Sequence, residues 1–250
     1  MPNKITTDGV VLKETSIGES DRVVTILSRE LGIIRAFVTG AKKVGSKNSA
    51  ATSLLCYGTY SVYKTKDAYR VSESEPKEMF FELRQDIEKL AVAQYISELC
   101  IFMAPQEENA EVFLRLVLNS FYFLASGKMN VKLIKSVTEL RFLSVSGYMP
   151  DFVACSQCGA YESDAMYFYI NEGNIVCSDC CTEPSANCAK LDKTVMAAVR
   201  HILYCEFKKL YSFSLPENYI DYLSKVSEKY ILSQTEHSFK TLKFLHSLNL

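Results

Sequence analysis

The sequence predicts an α+β multidomain chain: a five-stranded barrel at the N-terminus, followed by an α-helical domain with a four-cysteine knuckle inserted in it. Three observations carry this expectation. Residues 5–75 alternate short β-branched and aromatic segments with turn residues, the apolar positions recur at a three-to-four spacing from Pro76 onward, and two Cys-x-x-Cys pairs interrupt the helical part. The expected division is residues 1–78 and 79–250, with the cysteine insertion at about 150–185. A chain of 250 residues, 48% of them apolar, has ample material for the cores this requires.

The strands read in order as ITTDGVVLKE, DRVVTILS, GIIRAFVTG, LLCYGTYSVYK and AYRVSES, with turns near Gly18, Gly32 and between Gly40 and Ser53. Five strands can stay an open sheet or close into a barrel, and closure is favoured because it removes two exposed edges. The helical part begins with FFELRQDIEKLAVAQYISELC, whose apolar positions Phe80, Leu83, Ile87, Leu90 and Ala91 share a face. EVFLRLVLNSFYFLASG repeats the pattern through Val112, Phe113, Leu116, Val117, Phe121 and Leu124. It ends at Gly127 and the next helix, VKLIKSVTELRFLSVSG, at Gly147, both suited to left-handed caps. After the break YMPDFVACSQCG, residues 191–211 and 216–249 resume helical spacing. Helices on either side of the cysteine segment need each other's apolar faces, which places bundle and knuckle in one domain.

The N-terminal MPNKITTDG has no apolar run behind its lysine, and no stretch approaches the roughly 20 apolar residues of a membrane span. The expected setting is the cytosol, where disulfides are rare, so the nine cysteines ask for another explanation. Cys155 and Cys158 form one pair, Cys177 and Cys180 another, with 18 residues between them. Two-residue spacing lets both sulfurs of a tight turn face one ion, and two such turns complete the tetrahedron that Zn²⁺ prefers. The segment YFYINEGNIV reads as a hairpin that returns the second pair to the first. A redox Cys-x-x-Cys would open a helix in a βαβ unit, and neither pair does. Four thiolates also leave no position for a reactive water, so one structural zinc per chain is expected. Cys181, directly after Cys180, leaves the fourth ligand open between the two, while Cys56, Cys100, Cys188 and Cys205 read as small core hydrophobes.

The formal charge of −1 hides an uneven distribution. Residues 1–80 carry 12 Lys and Arg against 9 acids, and from Arg35 to Arg70 there are seven cations against Asp67 alone. Residues 151–190 carry Lys190 against six acids. Within the basic stretch, GAKKVGSK approaches a phosphate-cradling loop, but Ser46 precedes Lys47 where the motif needs lysine first, and the NSAATS that follows leads to a strand rather than a helix. There is no Gly-x-Ser-x-Gly elbow, and His201, His237 and His246 lie in helical segments without ligand spacing, so no enzyme is expected. A basic barrel instead suits the OB-fold mode of binding single strands, in which a cationic groove tracks phosphates and aromatic rings stack on bases. Arg35, Lys42, Lys43, Lys47, Lys64, Lys66 and Arg70 are the candidate phosphate contacts, interleaved with Tyr57, Tyr60, Tyr63 and Tyr69. Tyr57 and Tyr63 share a strand face that Tyr60 does not, so part of the tyrosine set belongs to the core. A second reading is a scaffold that grips protein partners through its helical domain, with only weak DNA contact.

The opening GVVLKETSIGESDRVVTILSRELGIIRAFVTGAKK resembles the N-terminal OB-fold barrel of the bacterial RecO recombination-mediator family. The matching features are the Gly-x-Val-Leu strand at Gly9–Leu12, the Gly-Glu-x-Asp-Arg turn at Gly18–Arg22, the hairpin Thr25–Gly32 and the Gly-Ala-Lys-Lys loop at Gly40–Lys43. FLSVSGYMPDFVACSQCG is similar to the same family's approach to its zinc site, and the order barrel, helices, knuckle, helices agrees along the whole chain. Arg22, which closes the family's turn, joins the candidate DNA contacts. The resemblance implies a non-enzymatic DNA repair and recombination mediator of the bacterial cytoplasm, associated with the nucleoid and not with a membrane. It also implies binding of single- and double-stranded DNA, annealing of complementary strands, association with RecR, recognition of the acidic C-terminal tail of single-stranded DNA-binding protein, and help in loading RecA.

Overall fold

β1 (Lys4–Ile17), at 14 residues, is long enough to serve two neighbours in the computed structural model, which describes residues 4–66 and 68–248. Its first half pairs antiparallel with β4 (Tyr57–Lys64), and its second half with β2 (Asp21–Ser28). A register shift between Val11 and Lys13 turns the strand from one partner toward the other. β3 (Gly32–Val38) returns beside β2, and β5 (Tyr69–Glu78) pairs with β4 on one side and, in parallel, with β3 on the other through Ala36–Tyr69 and Phe37–Arg70. The order β1-β2-β3-β5-β4 is closed, as the OB-fold expectation requires. Gly9 of β1 lies against β2, where a Cβ would sit 2.7 Å from the carbonyl oxygen of Leu27, so β1 and β2 approach this closely only because no side chain is present.

The inward positions Val11, Val24, Ile26, Ile34, Ala36, Val38, Tyr60, Val62, Tyr69 and Val71 form the barrel core, joined by Ala41 and Ala51 from the β3–β4 connection. Burial of the Tyr60 ring is tolerated because its hydroxyl donates to the carbonyl of Ala51 at 2.7 Å. Two strand limits differ from the sequence reading. Leu54–Cys56 is not strand: Leu55 has a φ of 62° and is buried, with its N–H on Val11 O and Cys56 O on Val11 N–H. β5 runs on to Glu78 through polar residues because the ladder to Tyr57–Thr59, rather than burial, sets its length.

The chain folds as two compact units, Met1–Lys128 with Phe239–Leu250, and Met129–Ser238. The change of period at 78/79 falls inside the first unit, which holds the barrel together with α1 (Ile87–Met103), α2 (Glu111–Ser126) and α6 (Lys240–Ser247). The helical spacing read from Phe80 begins in fact at Ile87. Phe81–Arg84 is one 3₁₀ turn, and Asp86 caps α1 by accepting from the N–H groups of Glu88 (2.9 Å) and Lys89 (3.2 Å). The spacing over 216–249 likewise divides into α5 (Glu217–Thr235) and α6, broken at Glu236 with φ 49°. α6 joins the first unit because Glu98 of α1 accepts from the free N–H groups of Lys240 (3.2 Å) and Thr241 (2.9 Å), and Phe239 meets Tyr95 and Phe102 edge to face.

The second unit contains α3 (Val131–Val145), a three-stranded antiparallel sheet of β6 (Met166–Tyr169), β7 (Asn174–Cys177) and β8 (Cys188–Leu191) in the order β7-β6-β8, α4 (Lys193–Tyr204), and α5. α3 and α5 enclose a charged set in which Lys135, 1% exposed, lies 3.0 Å from Glu139 and 2.8 Å from Glu228, and Ser227 donates to Glu139 at 2.6 Å. Buried charges persist there because each has an opposite partner. Among the described residues, no helix is long and apolar enough to cross a membrane.

Candidate metal centre and nucleic-acid interface

The β6–β7 hairpin does what the cysteine spacing requires of it. Tyr169 pairs with Asn174, Gly173 turns the chain at φ 67°, and Cys177 arrives beside the first knuckle, where its N–H points at Cys155 Sγ at 3.3 Å. In that knuckle, Gly159 at φ 77° lets its N–H return to the Cys155 carbonyl at 2.9 Å. The sulfurs of Cys155, Cys158, Cys177 and Cys180 all lie within 4.8 Å of one another, and those of Cys158 and Cys177 are 3.7 Å apart. Four sulfurs about 2.3 Å from a tetrahedral centre stand about 3.8 Å apart, so the set has the dimensions of a closed four-thiolate metal site. Cys181 is directed elsewhere, its thiol 3.4 Å from the Tyr169 hydroxyl, which leaves Cys180 as the fourth member.

Cys155 and Cys180 are shifted in opposite directions. Burial raises the Cys155 thiol, but the N–H groups of Cys177, Cys158 and Gln157 aimed at its sulfur outweigh this and bring it down to about 6. Cys180 is pushed up to about 12 by hydrogen bonding to the Cys177 and Cys158 thiols. A favoured Cys155 thiolate beside Cys158 and Cys180 thiols raised above their usual range is a donor set whose full charge a bound dication would complete. Arg200 of α4 braces this region. Its guanidinium donates to the carbonyls of Phe152 (2.8 Å), Val153 (3.1 Å) and Tyr161 (2.7 Å) and lies 3.8 Å from the centre of the Tyr161 ring. Nothing in the local sequence marks Arg200 for this role, since its partners lie about forty residues earlier.

The eight candidate DNA contacts separate into two kinds. Arg22 is half-buried and turned inward: its Nη1 donates to Ser49 O and Thr52 Oγ1, both at 3.2 Å, and lies 3.4 Å from Glu14. Beside it, Asp21 accepts from the Gly40 N–H at 2.8 Å, a bond that, with the Ser20 hydroxyl, holds its carboxyl below the usual range. The Asp-Arg pair thus pins both ends of the β3–β4 connection. Lys64 is also engaged, paired with the Glu107 carboxylate and standing 5.9 Å over the Tyr69 ring.

The other six, Arg35, Lys42, Lys43, Lys47, Lys66 and Arg70, are exposed and make no ion pair within 4.0 Å among the described residues. Lys42, Lys43 and Lys47 ride on successive turns, with Lys43 N–H on Gly40 O and Ser46 N–H on Lys43 O, and no helix follows them. Lys43 and Arg70 both act on the Asp21 carboxylate, so they converge at the same end of the barrel. Lys13 escaped the sequence reading. It lies opposite Thr25, which lies opposite Arg35, so the register builds a row across three strands in which Lys13 and Arg35 are exposed and Thr25 between them is half-buried. Strict alternation along β1 would have suggested it, but the register shift before Lys13 obscures the parity. Of the tyrosines, Tyr60 and Tyr69 are core, whereas Tyr57 and Tyr63 are half-buried on the outer face.

The family model described as "Recombination protein O N terminal" matches residues 1–80, and "Recombination protein O C terminal" matches residues 84–243. Similar chains include a "DNA repair protein RecO" of Acetivibrio thermocellus, 33% identical over 99% of this chain and 98% of the relative. Proteins of the same description from Desulforamulus reducens (30% identical; 96% of this chain, 93% of the relative) and Caldicellulosiruptor bescii (29%; 96% and 97%) match along nearly the same extent.

Proposed function

Since the chain belongs to the RecO family of DNA repair proteins, we propose that its barrel binds single- and double-stranded DNA and that it acts as a non-enzymatic mediator that anneals complementary strands. The observation that carries this reading is the set of six exposed cations on the barrel, Arg35, Lys42, Lys43, Lys47, Lys66 and Arg70, which make no ion pair among the described residues. Cations held this way displace the counterions condensed on DNA phosphates, which drives binding without regard to sequence. A surface that neutralises two strands at once also lowers the repulsion that opposes their pairing. Association with RecR, recognition of the acidic tail of single-stranded DNA-binding protein and help in loading RecA complete the proposed role and rest on family membership. In the second unit, Cys155, Cys158, Cys177 and Cys180 hold one structural Zn²⁺, which when bound supplies cross-linking rather than reactivity because four thiolates fill its coordination sphere.

The decisive experiment combines salt-dependent binding to single- and double-stranded DNA with an annealing assay. The wild-type chain should bind both with a steep negative salt slope and accelerate annealing. Replacing Lys42, Lys43 and Lys47 together by alanine should weaken binding evenly across sequences and flatten the slope by about 2 to 3. An unchanged slope would remove the loop from the interface, and a wild-type chain without salt-dependent binding would overturn the reading.

A further inference from the structure

Phe37 is the one phenylalanine among residues 1–78, and it does not serve the barrel core. Its neighbours along β3, Ala36 and Val38, are fully buried, whereas Phe37 is 38% exposed, more than any other aromatic ring of the barrel strands. By strand alternation it shares its face with Arg35, about 7 Å away along the strand. In the parallel β3–β5 pairing its direct partner is Arg70, about 4.8 Å across, and Tyr63 of β4 stands on the far side of Arg70. At the opposite end of the β2–β3 hairpin the chain around α1 and α2 closes on the barrel, with Ile33 N–H on Pro105 O and Ala110 N–H on Arg29 O, both at 2.8 Å. The Phe37 end is where Lys43 and Arg70 converge on Asp21.

A single exposed phenylalanine is ordinary on a protein surface. An aromatic face with one exposed arginine two positions along its own strand and another directly across from it has a specific complement: a flat apolar group with negative charge beside it. Single-stranded DNA supplies this, since an unstacked base offers its π-face and its flanking phosphates offer the charge. A duplex offers the phosphates but keeps its base faces stacked. We propose that Phe37 is a stacking platform for one base of single-stranded DNA, with Arg35 and Arg70 taking the adjacent phosphates. The proposal rests on the reading of the barrel as a DNA-binding surface and adds to it the strand class and the base-contacting residue.

The chain contains no tryptophan, so Phe37→Trp introduces a unique fluorophore on a flat ring that preserves stacking. Binding of the full-length protein to a labelled oligo-dT and to a mixed-sequence duplex of the same length, measured by anisotropy, is compared for wild type, Phe37→Ala, Phe37→Leu and Phe37→Trp. Melting curves verify that each variant folds. Phe37→Ala and Phe37→Leu should lose about 5- to 150-fold in affinity for the single strand, with the salt slope and duplex affinity unchanged. Phe37→Trp should retain affinity, with emission quenched by the single strand and unaffected by the duplex. Wild-type affinity of folded Phe37→Leu for oligo-dT, or tryptophan emission unchanged at saturation, overturns the stacking role while leaving the DNA-binding reading intact. Failure of the wild-type chain to bind either DNA sinks both.

Discussion

The barrel and the cysteine knuckle each gather like charges, and they do so in opposite ways. Six cations of the barrel point outward into water, where each costs little and is free to meet an external anion. Four cysteines of the knuckle point inward to within 4.8 Å of one another, where charge on all of them requires an internal cation. A convergent set is therefore a cooperative site, in which one missing member disables the rest. A divergent set is an additive surface, in which each member contributes a similar small share to binding.

The largest effect that tests this contrast is removal of one convergent member. Cys158→Ser should abolish stoichiometric zinc and leave residues 129–238 open to limited proteolysis, because structural zinc sites contribute about 10–16 kcal/mol, comparable to the whole stability of a domain. Metal analysis together with the digestion pattern reads this. A protease-resistant second unit without metal would show that the helices around α3 and α5 hold it unaided, and X-ray absorption showing oxygen rather than four sulfur ligands on the wild-type protein would contradict the assignment.

Next in size is the brace at the barrel's cationic end. Arg22→Ala removes charged hydrogen bonds to Ser49 and Thr52 and should destabilise the barrel by about 1–3 kcal/mol, detected as a lower melting temperature. Its immediate effect should be on stability rather than on salt slope, which distinguishes it from the exposed lysines. A variant as stable as wild type, with a reduced slope, would return Arg22 to the DNA-contacting set.

The smallest effect concerns Lys64, the cation that Glu107 neutralises. Glu107→Gln should release it and raise DNA affinity by no more than about fivefold, since an exposed ion pair is worth about 0–1 kcal/mol. The salt slope should steepen by less than about 0.9. Titration at two salt concentrations resolves this, and a weaker-binding variant would mean that Glu107 positions Lys64 rather than silencing it.

Much of this contrast was legible in the residues. The two Cys-x-x-Cys pairs and the turn between them announce convergence because a tight turn constrains sulfurs only two residues apart. Alternation in GIIRAFVTG separates core Ile34, Ala36 and Val38 from outward Arg35 and Phe37, and the same parity sets Tyr60 against Tyr57 and Tyr63. The five strands, their approximate limits and the basic stretch from Arg35 to Arg70 follow from local pattern of this kind.

What only the fold decides is which of those groups are free. Arg22 meets Ser49 and Thr52 about thirty residues away, Lys64 meets Glu107 across 43 positions, and Cys181 rather than Cys180 turns to Tyr169. The helix at the end of the chain joins the first unit through Glu98, more than 140 positions earlier. Periodicity records how each residue faces its own strand or helix, because that exposure repeats with the backbone. It holds no record of a partner brought near by chain closure, and that partner decides whether a cation is bound within the protein or left exposed to solvent.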